Sequence, residues 1–411
     1  MERGDLSPMV GSSARSTNAA FTAAACALGV AFVGSNLPTP LYPVYQARWH
    51  FSAGIVTIIF AAYSLGLIVA LVGFGRLSDQ LGRRPLLVTA LAILLGASLI
   101  FLFAPGVAWL VLARVSQGLG VGAAAATASA ALADYEPTNN QRRAALVASM
   151  ATAIGLALGP LIGGILVDLV PWPDLVIWGL YITLLVGALL IVRATMQEGT
   201  ANRVVRFRLQ HVSVPRSIII PFFASTGTFV CGWVATALFV ALGPTFVISA
   251  LRIDNRALGG FVGSLVFATS ALVQVIVRRS AIRGIRLLPA MTLGSICLIV
   301  GLVICVFALT KASIAIFLGG VLLVGGGQGV SYFASLAALN VVAPPPRRGE
   351  IIAAYYLAGY TCIAFAIPAV GFASARFGLP AACGAFTVAI GFLAAASTAI
   401  ARLYSGQVPF A

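Results

Sequence analysis

The sequence predicts an all-α membrane protein of twelve transmembrane helices in two related bundles of six. Apolar residues make up 60% of the 411-residue chain and charged residues only 9%, and the mean hydropathy is +1.04. Such a chain cannot present an ordinary charged surface to water. Apolar runs of about twenty residues, the length that crosses a bilayer as a helix, recur between short polar breaks.

The apolar runs place the helices along the chain, with a longer polar break in the middle. The predicted helices cover residues 19–42, 52–74, 85–104, 108–132, 144–168, 174–194, 217–248, 258–277, 287–309, 314–341, 351–374 and 380–402. They divide into an N-terminal bundle (19–194) and a C-terminal bundle (217–403). The leader (1–18) is predicted to be helix-poor and lacks the pattern of a signal peptide. The linker (195–216) either lies on anionic lipid or is a disordered basic tether, and a short tail (404–411) follows the last helix.

The two halves echo one another in their prolines and glycines. Pro160-Leu-Ile-Gly163 in predicted helix 5 recurs as Pro368-Ala-Val-Gly371 in predicted helix 11, and Pro40-Leu-Tyr recurs as Pro244-Thr-Phe. Each match is weak alone, but together they favour an internal duplication.

The net charge of +15 indicates topology rather than a nucleic-acid partner. With the N-terminus in the cytoplasm, most of the 25 Lys and Arg residues fall on the cytoplasmic side, as the positive-inside rule requires. The basic residues that then face the other side are Arg48, Arg252, Arg256, Lys311 and Arg376. We therefore predict a multi-pass protein of a bacterial inner (plasma) membrane with both termini in the cytoplasm.

The sequence offers no recognisable catalytic or cofactor-binding pattern. Its six cysteines lie within apolar helical stretches, and its two histidines, His50 and His211, are far apart. It contains no nucleotide-binding loop and no nucleophile–base pattern. We predict that the protein is not an enzyme, binds no metal and needs no cofactor.

A short basic turn after predicted helix 2 carries one acid. It reads Gly75-Arg-Leu-Ser-Asp79-Gln-Leu-Gly82-Arg83-Arg84-Pro85. This turn resembles the G-x-x-x-D-x-x-G-R-R/K loop of the major facilitator superfamily, which lies between helices 2 and 3 on the cytoplasmic side. We expect a gate latch in which Asp79 sits against the positive N-terminal end of predicted helix 11, near Glu350. The alternative is a plain turn with topogenic charge.

Predicted helix 4 contains an arginine inside a membrane span. Its segment Leu110-Val-Leu-Ala-Arg114-Val-Ser-Gln117-Gly118-Leu-Gly120 resembles the superfamily's L-x-x-x-R-x-x-Q-G-x-G element. An arginine in a span costs roughly 2.5–3.5 kcal/mol on insertion scales, so we expect Arg114 to face a wet cavity or a partner. The alternative is a lipid-facing side chain that extends to the interface.

Predicted helix 5 has a face without side chains, at Gly155, Gly159 and Gly163, followed by Gly164. Another helix can pack closely there, and Pro160 bends the helix, so we expect this face to seal an outer gate. The segment resembles the G-x-x-x-G-P-x-x-G-G element of drug:proton antiporters, which implies export. Ordinary small-residue packing is the alternative.

Further polar residues are candidates for the charge network and for the substrate site. Asp134 and Glu136 with Arg142 and Arg143 lie near the Arg83 turn and form either an inner charge network or a solvated surface cluster. The substrate or coupling candidates, each of which could instead join helices, are Asn36, Tyr63, Arg114, Gln117, Asp168, Gln274, Gln328, Tyr332 and Tyr355.

The resemblance implies a major facilitator fold that works by alternating access on a small-molecule substrate. Its first implication is a proton-coupled exporter of small organic molecules, functional as a monomer in the lipid bilayer. The alternatives are a specific sugar or organic-acid carrier or facilitator, and a membrane sensor that does not transport. Because no acid lies in mid-helix and Arg114 does, we predict neutral or anionic substrates, with Asp168 as the candidate proton-coupling group.

Overall fold

The structure, a computed structural model, describes residues 7–73, 80–197, 213–250, 252–253, 255–281 and 286–403. This part of the chain contains twelve helices long and apolar enough to cross a membrane. They are α1 (Ser7–Asn36), α2 (Ala53–Gly73), α3 (Arg83–Leu102), α4 (Val107–Asp134), α5 (Gln141–Leu169), α6 (Pro173–Thr195), α7 (Ile219–Thr245), α8 (Arg256–Ala281), α9 (Leu287–Lys311), α10 (Ile314–Val342), α11 (Arg348–Phe377) and α12 (Leu379–Leu403). The predicted all-helical fold is confirmed.

Helix α1 differs from the prediction at both ends. It begins at Ser7, so the prediction of a helix-poor leader was wrong. It ends at Asn36, six residues before the predicted end at residue 42. Pro38 and Pro40 explain the early end, because a proline has no N–H group with which to continue the helical hydrogen bonds.

The chain leaves α1 through a short irregular segment that is still part of the first span. A 3₁₀ turn, Thr39–Leu41, is followed by the short helix Tyr42–Trp49. The indole Nε1 of Trp178 on α6 donates a hydrogen bond to the Tyr45 hydroxyl (3.0 Å). The guanidinium of Arg48 pairs with Asp174 at 2.8 Å. Helix α6 therefore holds the chain in place beyond the break in the first span.

Helices α1–α6 and α7–α12 pack into two bundles. Between the bundles the extensive contacts are those of α5 with α8 and of α2 with α11. Helices α1, α3, α5, α7, α9 and α11 begin at one end of the molecule, which we call the termini face, and run to the opposite face. Within each bundle the odd and even helices alternate in direction, as expected for consecutive helices with short connections.

Glycines allow α2 and α4 to approach closely. A Cβ atom on Gly66 would collide with the carbonyl oxygen of Val115, and one on Gly118 would collide with that of Tyr63. Lipid provides no hydrophobic force between helices, so close packing across such glycines is a main source of helix association. This crossing brings α2, with Tyr63 and Phe60, against the arginine of α4.

Candidate functional site

Arg114 lies inside the N-terminal bundle and is fully buried. Its Nη1 donates hydrogen bonds to the carbonyl oxygen of Ser35 (2.6 Å) and to Oε1 of Gln117 (2.7 Å). Its Nη2 approaches the carbonyl oxygen of Phe60 at 3.4 Å. The alternative in which Arg114 extends along lipid is wrong, because all of its described partners are protein groups inside the bundle.

The break in the first span explains why Arg114 finds carbonyl partners. The last carbonyls of a helix have no N–H partners within it, and the C-terminal end of the helix dipole is negative. Arg114 donates a hydrogen bond to the Ser35 carbonyl, and Nε2 of Gln117 donates one to the carbonyl of Gly34 at 2.9 Å. The R-x-x-Q pair of α4 thus caps the end of α1.

Aromatic rings complete the surroundings of the guanidinium. Its Cζ lies 4.8 Å from the ring centroid of Tyr63 and 5.4 Å from that of Phe60. Such contacts add cation–π attraction where water is excluded. Among the described residues the acids are Asp134, Glu136, Asp168, Asp174 and Glu350, which all lie in loops or near helix ends. Backbone dipoles and aromatic faces therefore stabilise this charge in place of a carboxylate.

Several buried polar atoms around this cap have no hydrogen-bond partner among the described residues. They include Nδ2 of Asn36, whose residue is 6% exposed, and Nε of Arg114. Unpaired buried donors are rare and call for an explanation, such as an acceptor that arrives with a ligand. Asn36 therefore remains a candidate for substrate contact, whereas Gln117 is already used in the cap of α1.

The C-terminal candidates fall into two groups. Gln328 on α10 and Ser270 on α8 share a hydrogen bond between Oε1 and Oγ, and Gln274 donates to the same Ser270 hydroxyl at 3.0 Å. Gln328 therefore joins α10 to α8, and Gln274 supports the contact from within α8. Tyr355 is fully buried and bonds to Ser335 at 2.8 Å, so it belongs to the interior of the C-terminal bundle.

Tyr332 belongs to an aromatic cluster that the sequence analysis missed. Its hydroxyl lies 2.7 Å from that of Tyr356 on α11, and its ring stacks on Trp233 of α7 at a centroid distance of 6.1 Å. The available signal was the spacing of four residues between Phe229 and Trp233 and between Tyr356 and Tyr360. This spacing places each pair on one face of its helix.

The glycines of α5 serve two different neighbours. Cβ atoms on Gly155 and Gly163 would lie 2.6 Å and 2.7 Å from the carbonyl oxygens of Gly29 on α1 and of Leu37 just after it, and one on Gly159 would collide with the carbonyl oxygen of Val33. The expectation that this glycine face seals an outer gate was wrong in its residues, because its partner α1 belongs to the same bundle. Pro160 and Gly164, on the adjacent face of α5, contact α8.

The two bundles meet tightly near the opposite face. A Cβ on Gly164 would lie 3.1 Å from the carbonyl oxygen of Ala257 on α8. On the other side of the molecule, a Cβ on Gly54 would lie 2.9 Å from the Phe372 ring, and one on Gly371 would collide with Thr57. These two contacts, which we call the outer seal, close the opposite face.

Asp168 lies within the outer seal and joins the bundles. Its Oδ2 accepts a hydrogen bond from the backbone N–H of Ala257 in the first turn of α8, at 2.7 Å. The next N–H, of Leu258, is capped from its own segment by Asn255 at 2.8 Å. A carboxylate suits a helix N-terminus, where the helix dipole is positive.

At the termini face, charged residues tie helices of the N-terminal bundle together. Arg83 pairs with Asp134 at 2.7 Å, and Arg84 donates to the carbonyl of Arg193 at 3.0 Å. Gly82, just before α3, has a φ of +88°, a conformation that favours glycine. Gly75 and Asp79 lie outside the described residues, so the latch between Asp79 and α11 stays a prediction.

Glu136 is the organising acid of the turn between α4 and α5. Burial raises the pKa of its carboxyl. The pKa nevertheless lies below its ordinary value, because it is lowered more strongly by hydrogen bonds from the N–H groups of Asn140 and Thr138 and from the Thr138 hydroxyl, and by the charge of Arg143. The backbone bonds measure 2.6 Å and 2.8 Å, and the ion pair 3.1 Å. Across the bundles, Arg278 of α8 reaches the carbonyl of Arg142 at 3.4 Å.

The described residues were compared with the ligand sets that bind metal ions in proteins. Within them, no group of three or more His, Cys, Asp or Glu side chains is close enough together to hold a metal ion.

Comparisons with known proteins link this geometry to transport. Among curated relatives, multidrug resistance protein Stp of Mycobacterium tuberculosis is 31% identical over 154 residues, which are 37% of this chain and 28% of Stp. Multidrug resistance protein MdtL of Vibrio parahaemolyticus is 28% identical over 228 residues, 54% of this chain and 55% of MdtL. The 4-hydroxybenzoate transporter PcaK of Pseudomonas putida is 29% identical over 152 residues, 36% of this chain and 34% of PcaK. The matched segments thus span about half or less of these relatives.

Solved transporters share the whole fold. The D-xylose-proton symporter matches 92% of this chain and 96% of its own with a TM-score of 0.72 at 14% identity. An inward-facing bacterial homologue of the human lysosomal transporter Spinster matches 95% and 96% with a TM-score of 0.69 at 13% identity. The model of the Major Facilitator Superfamily matches residues 24–367, nearly the whole chain. The chain therefore belongs to the Major Facilitator Superfamily, a family of multi-pass membrane transporters rather than of enzymes.

Proposed function

We propose that the protein exports small organic molecules in exchange for protons by alternating access. The outer seal is the observation that carries this proposal. It joins the bundles through glycines whose partners are a backbone carbonyl at Gly164 and one side chain each at Gly54 and Gly371, so few side chains have to part when the bundles separate there. In the arrangement described, the outer seal joins the bundles at the opposite face, as it would in the state that takes up substrate from the termini face.

Asp168 gives the outer seal a means of sensing protons. Asp168 is exposed at the opposite face, and opening of the seal separates its carboxylate from the N–H of Ala257. A protonated Asp168 no longer gains from the positive end of α8, so protonation disfavours closure. Arg376 follows Pro368 by the same number of residues as Asp168 follows Pro160, so the second half places a cation at the related position. Of these two related positions, only the one on α5 carries a carboxylate that could couple to protons.

The substrates are neutral or anionic. The only full charge that the described residues place deep inside a span is Arg114. A permanent organic cation would meet this charge without a carboxylate to offset it.

The protein works in the plasma membrane of a bacterium, with the termini face in the cytoplasm. The loops rich in arginine lie on this face, which supports the orientation by the positive-inside rule. A single chain suffices, because each bundle builds the pathway with the other.

A second candidate is a carrier for one defined organic acid. The relative PcaK, described as a 4-hydroxybenzoate transporter, supports it together with the positive charge of Arg114. The relatives Stp and MdtL, both described as multidrug resistance proteins, support the exporter.

Transport by purified protein in liposomes tests the exporter. For protein oriented with its termini face outside, an acidic lumen should drive uptake of neutral or acidic aromatic compounds, and collapse of the pH gradient should stop it. Asp168→Asn should retain movement down a substrate gradient but lose acceleration by the pH gradient. Equal acceleration of the parent and Asp168→Asn would contradict coupling through Asp168. No movement of any compound class would contradict transport.

A further inference from the structure

Five rings of the C-terminal bundle form one continuous surface, which we call the aromatic wall: Phe229, Trp233, Tyr332, Tyr356 and Tyr360. Phe229 contacts Trp233 at a centroid distance of 5.4 Å and Tyr356 edge-on at 5.8 Å. Trp233 contacts Tyr360 edge-on at 5.9 Å. Three helices, α7, α10 and α11, supply these rings.

The aromatic wall has a rigid base and an accessible face. Phe229 is 1% exposed and stacks on the fully buried Tyr355 at 4.1 Å, and Gly359 leaves room for its ring. Trp233, Tyr332, Tyr356 and Tyr360 are half-buried, although they lie well inside their helices. A ring held by such packing keeps its orientation before a ligand arrives, which lowers the entropy lost on binding.

The accessible face looks toward the N-terminal bundle. Tyr360 lies on α11, and the guanidinium of Arg114 lies over the ring of Tyr63 on α2. Helices α2 and α11 pack against each other between the bundles. The aromatic wall and the α1 cap therefore border the same region between the two halves.

One donor in the aromatic wall has no partner. The indole Nε1 of Trp233 is buried and makes no hydrogen bond to any described residue. Tryptophan N–H groups usually find an acceptor when they are buried. Three residues further along the same face of α7, the buried hydroxyl of Thr236 is also without a partner. An acceptor brought by a ligand would satisfy these groups.

We propose that the aromatic wall binds a planar aromatic substrate that carries a hydrogen-bond acceptor, such as a carboxylate, phenol or carbonyl oxygen. The ring of the substrate stacks on Trp233 and its acceptor receives the Nε1 hydrogen. This assignment rests on the proposed function, because it makes the aromatic wall the substrate surface of the transporter.

Aromatic faces also attract organic cations, but the charges around this region disfavour them. Cation binding by aromatic rings is strong when a carboxylate or a dry cage supports it. Here the positive Arg114 lies against Tyr63 on the facing side, and the described acids lie in loops or near helix ends. The aromatic wall therefore selects neutral or anionic rings.

Equilibrium binding to the purified full-length protein tests the assignment with three matched probes. They are 2-naphthoate, its saturated counterpart decahydro-2-naphthoate, and trimethyl(2-naphthyl)ammonium, measured by calorimetry. We expect 2-naphthoate to bind at least about tenfold more tightly than the other two. Trp233→Phe, which keeps a ring but removes the N–H, should weaken 2-naphthoate about tenfold, because a hydrogen bond to a charged acceptor is lost. Trp233→Leu should abolish the preference for the aromatic over the saturated acid.

Trp109→Phe on α4 is the control, because Trp109 is 48% exposed and lies outside the aromatic wall. It should leave all three affinities unchanged. Equal binding of the aromatic and saturated acids by the parent protein, a preference that survives Trp233→Leu, or tightest binding of the ammonium probe would each overturn the assignment. Binding is measured without a gradient, so it tests the aromatic wall separately from transport. If the protein binds aromatic rings selectively but transports nothing, the proposed export is contradicted and the aromatic wall is not. Gradient-driven transport without ring preference contradicts the aromatic substrate alone.

Discussion

Arg114 shows how a single residue links a helix break to a buried charge. The guanidinium binds the Ser35 carbonyl, which has no helical partner because Pro38 and Pro40 end α1 early. The sequence identified Arg114 and Gln117, since charge inside an apolar run is conspicuous. It could not identify their partners, because no side-chain pattern shows which backbone carbonyls a broken helix leaves free.

Replacement of Arg114 should therefore damage both transport and the end of α1. We expect Arg114→Ala to lower the transport rate at least about tenfold, because hydrogen bonds to a charged group contribute about 1.5–3 kcal/mol each. Arg114→Lys should recover part of the rate, since one ammonium cannot replace the planar fork that reaches Ser35, Gln117 and Phe60 together. The check is initial-rate uptake into liposomes at matched protein content. Full activity of Arg114→Ala would show that the cap is dispensable.

Glu136 should make the stability of the protein depend on pH in acid solution. A carboxyl whose pKa is depressed by folding stabilises the folded state above its unfolded pKa, and this stabilisation is lost as the pH falls through the folded pKa. We expect Glu136→Gln to lower Tm at neutral pH and the difference from the parent to shrink below the ordinary pKa of 4.5. Thermal unfolding in detergent between pH 7 and pH 4, with Gln141→Glu as a surface control, measures it. A Tm difference that is constant with pH would argue against the buried carboxylate.

At the scale of single helices, α5 joins two partners on adjacent faces. Its glycines at spacing four contact α1, whereas Pro160 and Gly164 contact α8. The sequence predicted close packing, because small residues at this spacing have few other uses in a span. It could not assign the partner, since glycine has no side chain whose chemistry indicates a neighbour.

Gly159 should be more important for the N-terminal bundle than for the gate. A leucine there would collide with the backbone of α1 at Val33, so we expect Gly159→Leu to abolish transport and to lower Tm while the chain still inserts. The matched control is Gly179→Leu on α6, because a Cβ on Gly179 meets no atom within 4 Å. Membrane fractionation, Tm and uptake of both variants separate the effects. Normal uptake by a well-expressed Gly159→Leu variant would contradict the tight α1–α5 contact.

For the molecule as a whole, the repeat could be predicted better than the site between the halves. Recurring prolines and glycines indicated two bundles, and each helix was long and apolar enough to be recognised by composition. The aromatic wall escaped prediction because its rings come from three helices that are distant in sequence. Phenylalanine, tyrosine and tryptophan are also common in spans, so only their assembly on one surface distinguishes them.

A cross-link across the outer seal should arrest the transporter. A Cβ on Gly371 would lie 2.9 Å from Cβ of Thr57, so a shift of less than about 1 Å brings the two positions to the separation of about 3.8 Å in a disulfide. We expect Thr57→Cys with Gly371→Cys, in a chain whose six native cysteines are replaced by alanine, to lose transport on oxidation. Reduction should restore it, and each single cysteine variant should be unaffected by oxidant. Transport that continues in the oxidised, cross-linked protein would show that the seal does not open during the cycle.

The dipole-stabilised charge of Arg114 has an electrical consequence. Because no described carboxylate neutralises it, the N-terminal bundle carries a net positive charge into the membrane field. An elementary charge moved through 100 mV changes in energy by about 2.3 kcal/mol, so displacement through a tenth of the field corresponds to about 0.2 kcal/mol. A negative cytoplasmic potential would draw Arg114 toward the cytoplasm and favour one orientation of the bundles over the other. The membrane voltage would thus bias the resting state even when the substrate is uncharged.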